Sequence, residues 1–96
     1  MPYVVKANRR KIEKDIARAA AYLGIKGGFG GFLRWILALR KEIGIPHSLA
    51  QIGIDAKRLD EIAAMAIKDP SAGGNPIAFT EKQYKALARK CVAGEL

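Results

Sequence analysis

Apolar residues recur at three- and four-residue intervals in four stretches of the chain, and glycine or proline separates each stretch from the next. In "NRRKIEKDIARAAAYLG", Ile12, Ile16, Ala19, Ala20 and Leu23 fall on one helical face, with Asn8 placed to cap the start and Gly24 to end it. "IKGGFGG" follows, and four glycines there predict a connector, because glycine disfavours helix. "FLRWILALRKEIG" carries Phe32, Leu33, Ile36, Leu37 and Ile43 on a broad face and stops at Gly44, two residues before Pro46. "RLDEIAAMAIKD" places Leu59, Ile62, Ala63, Ala66 and Ile67 at the intervals of an amphipathic helix that ends at Pro70. After the loop "PSAGGNPIAF", Thr80 and Gln83 have capping-box spacing, and Tyr84, Leu87, Ala88 and Cys91 form the last stripe. No stretch alternates like a strand. The pattern predicts a single all-α domain over residues 1–96, a small bundle of four helices, or five with a short one at "PYVVKA".

Composition narrows the function classes. The chain has 96 residues, half of them apolar, which suits one packed domain and not a disordered tail. Arg34, Arg40 and Lys41 interrupt the longest apolar stretch, so a membrane span is not expected. The basic cluster near the N-terminus follows a short apolar stretch, the reverse of a secretory signal, and Cys91 has no second cysteine to pair with. Both features point to a cytoplasmic setting. The net charge of +8 raises nucleic acid as a partner, and Lys6, Arg9, Arg10, Lys11, Lys14 and Arg18 lie close together. Glu13 and Asp15 dilute that cluster, and no helix-turn-helix or RNA-binding motif accompanies it. Specific nucleic-acid binding is therefore not expected.

Candidate chemistry is sparse. His47 is the only histidine, in the connector "IGIPHSLAQIGI", and it lacks the partners that catalysis or a metal site requires. It reads as an exposed or backbone-bonded imidazole. Cys91 reads as a small core hydrophobe, and Asp55, Asp60 and Glu61 as charges that favour a helix start. Neither "GGFGG" nor "AGGNP" has the order of a phosphate loop. The residues themselves assign no catalytic, cofactor or metal-binding group.

The order of the motifs is more informative than any one of them. "MPYVVKANR", "YLGI", "LRKEIGIPHSLAQIGI", "LDEIAAMAIKDPSAGGNP" and "FTEKQYKALARKC" together resemble the C-terminal helical domain of the iron-containing (group III) alcohol dehydrogenases. That family runs L-P-x-V-x-x-F-N, G-I-P-x-x-L-x-x-x-G-[IV], L-A-x-x-A-x-x-D, an N-P-R loop and a Thr-capped helix in this order. Within the family the likeness extends to members of the lactaldehyde reductase and propanediol dehydrogenase kind. It covers nearly the whole chain.

The resemblance implies a parent enzyme that moves a hydride between an alcohol and NAD or NADP with Fe2+ or Zn2+. It implies that the metal ligands, an aspartate and three histidines, and the dinucleotide-binding domain lie upstream of Met1. This chain is then expected to be a C-terminal fragment, inactive alone, whose partners are the rest of the dehydrogenase polypeptide and further copies in a homo-oligomer. Ser71 is the one position matched to the substrate-pocket edge. His47 falls at a variable position. The chain departs from the pattern at Ile77, where arginine usually follows Asn-Pro, at Ala7, where an aromatic precedes Asn8, and in its "KGGFGG" connector. As a fragment it is expected to expose Tyr3, Val4, Val5, Phe29, Phe32 and Trp35. A small basic nucleic-acid-binding module and a stand-alone interaction protein are the alternatives.

Overall fold

The computed structural model describes residues 1–96 and contains only helices: α1 (Pro2–Ala7), α2 (Arg9–Tyr22), α3 (Gly28–Glu42), α4 (Leu59–Lys68) and α5 (Glu81–Ala93). Short 3-10 turns cover Ala50–Ile52 and Pro70–Gly74. The contacts gather into two compact units, Met1–Pro46 and His47–Leu96.

In the first unit, Pro2 starts α1, a position where the missing N–H costs nothing. Asn8 does not cap α2 as the sequence suggests. An N-cap side chain reaches forward from an extended residue, whereas Asn8 is helical (φ −87°, ψ −1°) and continues directly from α1. Its amide turns back instead, and Nδ2 donates to the Val4 carbonyl at 3.0 Å from a residue only 2% exposed. α2 buries Ala20 and half-buries Ile12, Ile16 and Ala17. Ala19 and Leu23, placed on the same stripe by spacing, are exposed.

The glycine run is the larger departure. α3 begins inside it, at Gly28, and Gly30 and Gly31 are helical residues. The chain enters α3 so tightly that a Cβ on Gly31 would lie 1.9 Å from the Lys26 carbonyl oxygen. Gly31 therefore serves close approach and not flexibility. α3 packs on α2 and α1 through Phe29 and Ile36, which are 5% and 1% exposed, and the Arg9 guanidinium sits 5.1 Å above the Phe29 ring. Tyr3 and Phe29, expected to be bare, are thus core residues of this unit, while Val4 and Trp35 remain exposed and Val5 and Phe32 half-buried. Periodicity could not separate them, because α1 had no packing partner until the glycine run folded into α3.

In the second unit, α4 and α5 pack against each other. Leu59, Ala63, Ile77 and Val92 are buried, and Tyr84, Leu87, Ala88 and Cys91 are half-buried. Ile62 and Ile67 lie on the predicted stripe of α4 yet stay exposed. Asp69 is extended, as a residue before proline must be, so α4 stops there. The Thr80 capping box forms as predicted, with Gln83 N donating to Thr80 Oγ1 and Thr80 N donating to Gln83 Oε1. No helix is long and apolar enough to cross a membrane.

Candidate functional site

The loop between α4 and α5 carries Ser71, the position expected at a pocket edge. Ser71 is exposed in the turn Pro70–Gly74. Its N–H donates to Asp69 Oδ1 at 2.7 Å and its hydroxyl donates to the same oxygen. At the far end of the loop, Asn75 Nδ2 donates to the Ile77 carbonyl at 2.6 Å, and Ile77 is 6% exposed. The loop is therefore pinned by a local Asp-Ser turn at one end and by a buried isoleucine at the other. The Ser71 Oγ can still accept a hydrogen bond from outside while its proton is held by Asp69.

Those two bonds from Ser71 hold the Asp69 carboxyl below its ordinary pKa, because both donors favour the charged form. Such a group adds stability above the ordinary carboxylate range, about 4, and the contribution is lost as pH falls through the lower folded value. The Asp69–Ser71 turn thus contributes more at neutral pH than in acid. Glu13, lowered by the hydrogen bond from Arg9, and Glu61, lowered by that from Arg58, act in the same window. Asp69→Asn is expected to leave a visibly smaller acid shift of the urea midpoint than the unsubstituted chain shows. Equal pH slopes for the two proteins would refute the assignment to Asp69.

His47, Asp60 and Glu61 are committed to structural contacts. His47 Nε2 lies 2.9 Å from the Gly94 carbonyl, so this nitrogen carries the proton and ties the segment after Pro46 to the end of α5. Leu49 N donates to the Cys91 carbonyl at 2.9 Å, a second tie to the same helix. His47 is exposed and backbone-bonded, as its sequence context suggested, whereas Cys91, read as a core hydrophobe, is only half-buried. Asp60 and Glu61 stand in the first turn of α4, paired with Lys85 and Arg58. Arg40, read from the sequence only as a break in the longest apolar stretch, has its Nη2 donating to the Pro46 carbonyl at 2.6 Å and fixes the turn "EIGIP". A cation six residues before a carbonyl across a Gly-Pro turn is the only sequence signal for that bond.

No three His, Cys, Asp or Glu side chains converge in a way that could hold a metal ion. The donor set of these residues therefore does not fit an iron or zinc site. A second surface feature was also missed. Asp15, Arg18, Ala19, Tyr22 and Leu23 line a shallow, open and mainly apolar depression at the end of α2, where Tyr22 is 91% and Leu23 60% exposed.

In comparison with protein families, residues 1–92 match the Fe-containing alcohol dehydrogenase family, C-terminal. The match spans almost the entire chain, and the protein belongs to that family as its C-terminal domain. Comparison with curated proteins and with solved structures gives no match.

Proposed function

We propose that this chain is the C-terminal helical part of an NAD(P)- and metal-dependent alcohol dehydrogenase, and that it forms one wall of the substrate cleft without supplying a catalytic group. The observation that carries this reading is the family match over residues 1–92 in a chain whose own side chains build no metal site. The metal ligands and the dinucleotide site then come from polypeptide outside these residues, and the substrate is a primary or secondary alcohol. Ser71, exposed on the α4–α5 loop, is the residue that would line the edge of that pocket. Exposed apolar residues such as Val4, Trp35, Ile62 and Met65 suit surfaces covered by the rest of that polypeptide or by further copies of it.

The isolated chain, given an alcohol, NAD or NADP and Fe2+ or Zn2+, is expected to form no reduced nicotinamide. It is also expected to retain no stoichiometric metal after dialysis. An antibody raised against it should detect, in the source cells, a polypeptide much larger than 10.4 kDa that co-purifies with NAD(P)-dependent alcohol oxidation. Metal-dependent turnover by the isolated chain, or detection of a 10.4 kDa species alone, would overturn the proposal.

A further inference from the structure

Most of the chain's positive charge sits in one half of it. Residues 1–46 contain ten Lys and Arg against three Asp and Glu, which accounts for +7 of the net +8. On α2 this charge is organised. Arg10, Lys11, Lys14 and Arg18 occupy a sector about 100° wide, and the stripe runs about 12 Å along the helix. It lies on the side opposite Ile16 and Ala20, where α2 is covered. None of the structure's ion pairs uses Arg10, Lys11 or Lys14. Arg18 meets Asp15 at 3.2 Å, with the two side chains 83% and 72% exposed, a contact weak enough to be exchanged.

The stripe ends at the depression formed with Ala19, Tyr22 and Leu23. A solvated basic face explains the cations. It does not explain why a tyrosine and a leucine are left bare beside them, since exposed apolar surface carries a hydration cost and tends to mark contacts.

We propose that this face of α2 docks an acidic amphipathic protein segment, with an apolar side chain in the depression and carboxylates along Arg10, Lys14 and Arg18. The charges are complementary, and tyrosine and arginine are the residue types that most often dominate such contacts. The Arg18 guanidinium can take a carboxylate through two parallel N–H bonds. Nucleic acid would use the same cations, but Asp15 stands in the depression and opposes a phosphate, and one tyrosine is a single stacking platform where single-strand binders use several. The mixed rim of Asp15 and Arg18 instead suits a protein segment, whose own cation can meet Asp15.

The test titrates the full chain with a labelled helical peptide of about 16 residues, rich in Glu with Leu on one face, at about 0.15 M salt. A peptide of equal charge with each Leu replaced by Ala, and an oligouridylate of equal length, serve as comparators. The Leu-bearing peptide is expected to bind at least about tenfold more tightly than either comparator. Tyr22→Ala and Arg18→Ala should each weaken it by about fivefold or more, and both sites are exposed enough for the fold to persist, checked by circular dichroism. Equal binding of the Ala peptide, tighter binding of the oligouridylate, or indifference to both substitutions in folded protein would overturn the proposal.

Discussion

Gly31→Ala is expected to disrupt the start of α3, while Gly30→Ala, one residue away in the same helix, is expected to stabilise it. Alanine normally gains up to about 1 kcal/mol over glycine inside a helix. At Gly30 nothing opposes that gain, because the new methyl would meet only the flexible Arg34 Nη1, at 3.5 Å. At Gly31 the methyl would lie 1.9 Å from the Lys26 carbonyl oxygen and 2.8 Å from its carbon, and both are backbone atoms that cannot swing away. Relieving that overlap means moving the Lys26 peptide or the helix start, with a cost of about 3 kcal/mol. Phe29, two residues earlier and 5% exposed, would lose its seat beneath Arg9. Against a total stability of about 5–15 kcal/mol, the loss is large enough to read as a clear drop in the urea midpoint. Stabilisation by both substitutions would mean that Lys26 does not pass so close to α3.

The same glycines show where the sequence was legible and where it was not. Thr80 and Gln83 stated their own role, since a capping box needs only residues within one turn and the structure forms it as read. The ends of α2 and α3 were equally local, with Gly24 and Gly44 in the left-handed region and hydrogen bonds from Ile25 N to Ala20 O and from Ile45 N to Arg40 O closing each helix. Asn8 failed as a cap because its role depends on what precedes it, and α1 was already helical. "KGGFGG" failed because propensity weighs each glycine as a cost and is blind to a carbonyl that must pass within a methyl's width. Of the candidate site, the type of residue at Ser71 was visible, but its bond to Asp69 depended on the turn that Pro70 imposes. Tyr22 and the depression beside it were invisible for a further reason. Spacing tells which residues share a face, and whether another element covers that face is a property of the whole fold.

Ile77→Arg would restore the residue that usually follows Asn-Pro in this family, and it is expected to destabilise the chain markedly. Side chains near this position leave little room for choice. Ile77 is 6% exposed, and its carbonyl accepts the bond from Asn75 Nδ2 that closes the loop. Replacing it removes about 2–3 kcal/mol of apolar burial and forces a permanent cation toward the α4–α5 packing. A guanidinium can carry its charge back toward water on a long stem, which limits the penalty, so a total loss on the order of 3 kcal/mol is expected. Ile77→Val keeps the burial and should cost about 1 kcal/mol, which separates loss of volume from the entry of charge. The consequence reaches the candidate site, because Ile77 and Asn75, with Phe79 edge-on to Tyr84, hold this end of the loop that carries Ser71. Backbone amide exchange should accordingly accelerate from Ser71 to Phe79 in Ile77→Arg and change little in Ile77→Val. An Ile77→Arg protein with an unshifted urea midpoint would show that the site accepts the family's arginine and that Ile77 is not what anchors the loop.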